Sequence, residues 1–222
     1  SNFSCRIIEQ QLNGMLLNIE NSEIWTKLIG EFNAYNVLAI YSIGKIYEID
    51  SIKLLTNISE LNSVQGRFQS FLSNRNVTVI IDYAHTPDAV ENVISTINKI
   101  KKSNQNLITV IGCGGDRDKD KRSMIGKICS DLSYKVILTS DNPRSENPES
   151  IIKDILSGVS NFNNYKILVE VERSQAIEKA KKNSSEGDIV LIAGKGHEDY
   201  QILRNKVIKF NDFKIAKKIF NE

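Results

Sequence analysis

From residue 77 onward, short β-branched apolar runs alternate with longer stretches in which apolar residues recur at helical spacing. The runs at 77–81, 107–111, 135–139, 167–171 and 189–193 predict buried strands, with a further short strand at 206–210. The intervening stretches predict helices. Their inward faces carry Val90, Val93, Ile94, Ile97 and Ile100, then Met124, Ile125, Ile128 and Leu132, then Ile151, Ile152, Ile155, Leu156 and Val159. Ala176, Ile177 and Ala180 mark another helix, and Phe213, Ala216 and Phe220 mark the last, with Asp212 as its expected cap. Thr86-Pro87 and Pro148 suit helix starts, because proline sets φ and lacks only an N–H that the first turn leaves unpaired. Strands alternating with helices imply an α/β fold: a Rossmann-like, mostly parallel, doubly wound sheet.

The first part of the chain follows another pattern. Residues 5–19 offer two apolar stretches around Asn13-Gly14, a dipeptide that favours a hairpin turn. An apolar helix is expected within 28–47 through Val37, Leu38, Ile40, Tyr41 and Ile43, and a second at 49–58, where Leu54 and Ile58 share a face. Asn33 and Asn36 are expected at the start of the first helix, where one would suffice as a cap. The polar stretch 60–69 reads as a boundary, which gives an expected division into residues 1–61, a linker at 62–66, and 67–222. The sequence opens at Ser1, already within a strand-like pattern, so the expectation is the C-terminal part of a longer protein.

Composition narrows the function classes. A net charge of +2 over 222 residues gives no electrostatic footprint for nucleic acid or an anionic membrane surface. Cys5, Cys113 and Cys129 have no metal-ligand or CxxC spacing, and an odd number argues against a disulfide framework. With no apolar run long enough to span a bilayer and no visible signal peptide, the expected setting is the cytoplasm.

In a doubly wound sheet, ligand loops lie beyond the carboxyl ends of the strands. The loops 82–88, 112–122, 140–145 and 194–200 should therefore meet. Their richest stretch is T-S-D-N-P-R-S-E-N-P. Asp141 can accept an ammonium, Asn142 can donate and accept, and Arg144 presents a planar fork to a carboxylate. Pro143 stiffens the backbone between them. Both signs of charge on one rigid loop suit an amino acid, although on composition alone a polar turn is the favoured reading. Gly112-Cys113-Gly114-Gly115-Asp116-Arg117 lacks the third glycine of a dinucleotide fingerprint, and Gly194-Lys195-Gly196-His197 lacks the upstream glycine of a Walker A loop. His85 and His197, the only histidines, fall on these loops, as does Glu198; structural hydrogen bonding is the plainer role for each histidine.

Taken in order, G-E-F-N-A-Y-N, G-R-F, D-Y-A-H-T-P-D, G-C-G-G-D-R-D-K-D-K-R, D-N-P-R and A-G-K-G-H-E-D-Y-Q resemble the Mur ligases, which build the peptidoglycan stem peptide. The resemblance implies that residues 1–61 are the tail of a central ATP-binding domain and that 67–222 are the C-terminal amino-acid-binding domain. The P-loop, a carbamylated lysine and the UDP site would then lie upstream. It implies ATP-dependent amide formation through an acyl phosphate, with Mg²⁺, a UDP-N-acetylmuramoyl-dipeptide acceptor and meso-diaminopimelate as the incoming amino acid. Domain closure about the linker would bring the amine to the acyl phosphate. Arg117, Asp141, Asn142, Pro143, Arg144, Gly194 and Glu198 match the family's diaminopimelate site, and Asn36, Arg67, Asp82 and His85 its nucleotide contacts. No general base stands out; His197 is a candidate by location alone. Two positions depart from the family pattern: Gln69 stands where an acidic residue is usual, and Ser123 replaces a common proline. A lysine-adding relative and a non-catalytic Rossmann-type nucleotide- or amino-acid-binding module remain the rival readings.

Overall fold

A computed structural model describes residues 3–204 and 206–222. The chain divides into two compact units, Ser1–Val64 with Lys99–Lys101, and Gln65–Asn98 with Lys102–Glu222.

In the first unit, β1 (Cys5–Gln11), β2 (Gly14–Ile19) and β3 (Ser22–Thr26) form an antiparallel meander. The expected hairpin is present, and a third strand joins it. Helices α1 (Glu31–Ile46) and α2 (Ser51–Ser59) follow. Met15, Leu17 and Ile19, alternate residues of β2, pack with Val37 and Tyr41 of α1 and with Leu54 and Ile58 of α2. The two asparagines do not cap α1. Gly30, at φ 98°, is the N-cap, so both lie inside the helix. Asn33 Nδ2 donates to the Ile29 carbonyl at 2.8 Å, and Asn36 Nδ2 donates to Asn33 Oδ1 at 3.2 Å.

The second unit is built on a six-stranded sheet. Its strands are β4 (Gln69–Leu72), β5 (Thr78–Asp82), β6 (Leu107–Ile111), β7 (Lys135–Leu138), β8 (Ile167–Val169) and β9 (Ile189–Ala193), in the order β4-β5-β9-β6-β7-β8. All pairings are parallel except that of the edge strand β4 with β5. The parallel core strands are buried on both faces, which is why they read as continuous apolar runs. Helices α6 (Arg173–Asn183) and α7 (Asp212–Asn221) cover one face. There Ala176, Ile177, Ala180, Ala216 and Phe220 meet Val79, Ile108, Val110, Val190 and Ile192. Helices α3 (Pro87–Ile100) and α4 (Asp120–Leu132) cover the other. Thr109, pointing opposite to Ile108, hydrogen-bonds Ser133 at the end of α4, and Asn98 of α3 donates to the Leu132 carbonyl. Helix α5 (Pro148–Leu156) packs on α4, and a 3-10 turn at Asn161–Lys166 leads into β8.

Several expected positions shift. Met124 is 52% exposed, because the inward face of α4 is Arg122, Ile125, Gly126 and Cys129. Gly126 permits the contact: a Cβ there would lie 2.0 Å from the Ile155 carbonyl oxygen of α5. Val159 lies beyond the end of α5. Asp212 is not the last cap; Asn211 is, accepting from the Lys214 amide, while Asp212 is fully buried. Tyr200, expected in a loop, begins β10 (Tyr200–Leu203), which pairs with β11 (Lys206–Lys209) as a separate hairpin.

Candidate functional site

The strand order places β9 between β5 and β6, although it is the last of the parallel strands in sequence. The loops leaving β5, β6, β7 and β9 therefore converge at a point where the winding reverses. They line a cavity of about 450 Å³. The β5 loop contributes Tyr83 and His85, the β6 loop Cys113 and Arg117, the β7 loop Asp141, Asn142 and Arg144, and the β9 loop Gly194 and Glu198. Lys121 and Arg122 of α4 and Tyr200 of β10 also line it.

The Asp141–Arg144 stretch is held by the β10 hairpin more than by its own proline. Ile202 N donates to Asn142 Oδ1 at 2.9 Å, Gln201 Nε2 to the Asp141 carbonyl at 2.6 Å, and Arg144 N to the Ile202 carbonyl at 3.2 Å. Arg144 sits at φ 50°, left-handed backbone that costs a non-glycine residue about 1 kcal/mol or more. That conformation sends its guanidinium toward the β6 loop, where Nη1 donates to the Gly115 carbonyl at 2.7 Å. The glycine pair makes this approach possible: a Cβ on Gly114 would come within 2.9 Å of Arg144 Nη1, and one on Gly115 within 1.9 Å of the Pro143 oxygen. Pro143 itself is buried behind the cavity wall and serves as backbone.

Arg117 is exposed on the neighbouring loop. That loop is clamped from below by Arg122, which is 1% exposed and donates to Glu146, Asp154 and the Gly114 carbonyl. Glu146 also accepts from the Asp116 amide at 2.6 Å, and Asp116 accepts from Ser145. Hydrogen bonding from Arg122 holds the Glu146 carboxyl down at about 2.

At the floor lies a buried charge cluster. Lys195, with no exposed surface, donates to Asp141 Oδ1 at 3.2 Å, Asn142 Oδ1 at 3.1 Å and Glu198 Oε2 at 2.9 Å. Asn142 Nδ2 also donates to Glu198 Oε2, at 2.8 Å. Burial raises the Asp141 pKa, against the pull of Arg173 and Lys195. Burial would raise Glu198 too, but hydrogen bonds from Lys195 and Asn142 outweigh it and hold that carboxyl low. Beneath the cluster, Arg173 makes a two-pronged pair with Asp212, its Nε and Nη2 at 2.8 Å from Oδ1 and Oδ2.

The residues expected to contact a nucleotide are distributed differently. His85 lines the cavity, its Nδ1 2.9 Å from the Tyr83 carbonyl. Asp82 is buried and accepts from the Phe68 and Ala84 amides, both at 2.7 Å, so it ties the Arg67 loop to the β5 loop. Burial raises its pKa despite those amides. Arg67 lies over the Tyr83 ring at 4.7 Å, and His197 packs on the same ring at 5.1 Å, outside the cavity wall. Gln69, at the position that departs from the family pattern, accepts from the Gly66 amide at 2.9 Å. Asn36 is exposed on α1 of the first unit. Among the described residues, no three His, Cys, Asp or Glu side chains gather in a way that could hold a metal ion.

Sequence reasoning brought Arg117, Asp141, Asn142, Arg144, Gly194 and Glu198 to one cavity, and missed Lys195, Arg122 and the Arg173–Asp212 pair. Lys195 carried no local signal, because a lysine in a glycine-rich loop is ordinarily solvated and its burial depends on partners about 50 residues away, Asp141 and Asn142.

Residues 66–196 match the family described as Mur ligase, glutamate ligase domain. The chain is 40% identical over 221 residues to the UDP-N-acetylmuramoyl-L-alanyl-D-glutamate–2,6-diaminopimelate ligase of Cytophaga hutchinsonii, a match spanning 100% of this chain and 45% of that protein. It is 47% identical over 199 residues to the enzyme of the same name from Aquifex aeolicus, covering 89% of this chain and 40% of the relative. A solved structure of a ligase of that name superposes with a TM-score of 0.73 at 32% identity, over 99% of this chain and 45% of the other. The UDP-N-acetylmuramate-alanine ligase of Thermotoga maritima shares the fold, at TM-score 0.67 and 19% identity, over 98% of this chain and 44% of that one. The chain thus spans less than half the length of the relatives it matches. A family domain laid over more than half of its residues, on a sheet whose winding reverses at the cavity, makes this chain a member of the Mur ligase family.

Proposed function

We propose that this chain is the amino-acid-recognising part of an ATP-dependent ligase that adds meso-2,6-diaminopimelate to UDP-N-acetylmuramoyl-L-alanyl-D-glutamate in cytoplasmic peptidoglycan synthesis. Residues 1–61 would be the tail of the central ATP-binding domain, 62–66 the linker and 67–222 the C-terminal domain. The D-glutamyl carboxylate attacks the γ-phosphate of ATP, and one amine of diaminopimelate displaces phosphate from the resulting acyl phosphate. Magnesium would neutralise phosphate charge; among the described residues no three His, Cys, Asp or Glu side chains gather to hold it, and no step assigned to this chain passes through the ion. The chain's work is to bind and orient the amine donor, which converts an encounter of two molecules into a reaction within one complex.

The observation that carries the reading is one cavity with guanidinium groups on one wall and a carboxylate recess at its floor. Diaminopimelate has an amino-acid group at each end. One amine reacts, and the other end can be read by Arg117 and Arg144 at its carboxylate and by Asp141, Glu198 and the Gly194 carbonyl at its ammonium. Lysine lacks the distal carboxylate and would leave a guanidinium unpaired, an effective basis for rejection. The test is diaminopimelate against lysine in the full-length enzyme, for wild type and Arg144→Ala. Wild type should prefer diaminopimelate, and the variant should lose that preference by roughly 10²-fold, the worth of a charged hydrogen-bonded pair. A wild-type enzyme that prefers lysine would overturn the substrate assignment.

A further inference from the structure

The ammonium recess already contains an ammonium. Lys195 Nζ has three hydrogens and three oxygen partners, one each on Asp141, Asn142 and Glu198, so no donor is left for a ligand carboxylate. Its outer side faces the Tyr200 ring, with Nζ 5.7 Å from the centroid. A lysine with no exposed surface is tolerated only because it is paired in this way. The bonds are also economical: they use Oδ1 of Asp141 and Oε2 of Glu198. Asp141 Oδ2 points toward Gly194 on the cavity wall, where an added Cβ would lie 3.2 Å from it. Two carboxylates and one lysine leave a single negative charge unmatched. Arg173 beneath them is balanced by Asp212.

Building on the diaminopimelate reading above, we propose that Lys195 is a positioning residue for substrate selection, a resident counter-ion that stays in place when the amino acid binds. It fixes Asp141, Asn142 and Glu198 and leaves one net negative charge for the distal ammonium of the ligand. Without it, two neighbouring carboxylates would repel, and one would take up a proton instead of receiving the ligand. The charge that selects the substrate is thus set by a side chain that never touches it.

The test uses the full-length enzyme and two amine donors: diaminopimelate, and 2-aminopimelate, which keeps the distal carboxylate but lacks the distal ammonium. Lys195→Met should raise KM for diaminopimelate and lower the ratio of the two kcat/KM values by about tenfold or more, as expected for a lost charged hydrogen-bond set. KM for ATP and for the nucleotide dipeptide should hold, and Lys195→Arg should recover part of the ratio. A ratio unchanged in Lys195→Met, or both donors impaired equally, would overturn the proposal, since a merely structural lysine would not distinguish them. Should the variants fail to fold, wild-type protein carrying ¹⁵Nζ-lysine gives the answer. The protected Nζ resonance should persist and shift with diaminopimelate but not with 2-aminopimelate, and its loss on adding diaminopimelate would mean displacement and defeat the idea. A wild type indifferent to the distal ammonium would remove the substrate reading as well; a selective wild type with an insensitive Lys195→Met removes only this inference.

Discussion

Asp212→Asn removes one charge from the Arg173–Asp212 pair and leaves the other. Both side chains have no exposed surface, and the guanidinium also donates to the Ala193 carbonyl at 2.9 Å and toward that of Ser140 at 3.5 Å. Arg173 therefore joins α6 and α7 to the ends of β7 and β9, where the Asp141 and Gly194 loops begin. Breaking a buried pair from one side costs about 3–5 kcal/mol, because the remaining charge cannot be rehydrated. For a unit of this size that corresponds to a fall in Tm of roughly 6–20 °C. Urea unfolding followed by amide exchange in β7 and β9 measures the second unit, whereas fluorescence of Trp25, the only tryptophan, reports on the first. Replacing both partners, Arg173→Met with Asp212→Leu, should cost less than Asp212→Asn alone, since no charge is then stranded. A single-variant cost below about 1 kcal/mol, or a double variant whose cost is the sum of its parts, would refute the argument that the pair is dry and mutually dependent.

Four further outcomes follow from the same structure. Gly115→Ala should displace the Pro143–Arg144 turn, because its Cβ would meet the Pro143 oxygen at 1.9 Å; KM for the amino acid should rise while KM for ATP changes little. Asp141, raised by burial, favours the folded state most when protonated, below its unfolded value, and that contribution is lost as pH rises through its raised folded value. If Asp141 receives the distal ammonium as proposed, diaminopimelate affinity needs its ionised form and should fall with acidification already above the usual aspartate range, as calorimetric titration across pH would reveal. Glu146 behaves oppositely: its contribution is present above the unfolded value of 4.5 and is lost only as pH falls through about 2, so protection of the Asp116 amide should outlast substrate binding in acid. Cys113, on the cavity wall with its thiol pushed up to about 12 by burial and by Asp141, should resist iodoacetamide at neutral pH, and rapid labelling would contradict that environment.

The fold was legible wherever burial is two-sided. The centres of β5, β6, β7 and β9 are buried, β-branched-rich runs, so the existence of these strands follows from the pattern, whereas the insertion of β9 between β5 and β6 does not. What escaped were the strands with weak one-sided burial. In β4, Gln69, Ser70 and Phe71 are only half-buried, and β10 begins with an exposed tyrosine directly after a charged loop. The face of α4 was misjudged for a related reason. Arg122 and Gly126 occupy inward positions that an apolar periodicity cannot see, one held by an ion-pair network and the other by close backbone contact.

For the cavity, charged residues that look equivalent in the sequence perform separate tasks according to what they face. Arg117, Arg122 and Arg144 lie within one stretch of loops and helix, yet Arg122 is spent on Glu146 and Asp154, while Arg117 and Arg144 bond backbone carbonyls and so keep donors for a carboxylate. Asp141 and Asp212 are both buried acids, but one meets a lysine at the cavity wall and the other an arginine in the core. Motif spacing records which residues reach the rim of the sheet. It does not record their pairing, because the partners come from distant strands and helices: Lys195 for Asp141, Glu146 for Arg122, β10 for Asn142. Pairing decides the free charge, and the free charge decides the ligand. A reading of the loops in isolation gives Asp141 and Glu198 as two open sites for an ammonium. Lys195 pairs with both, and on the proposed reading the one unit of negative charge left is balanced by a donor with a single distal ammonium.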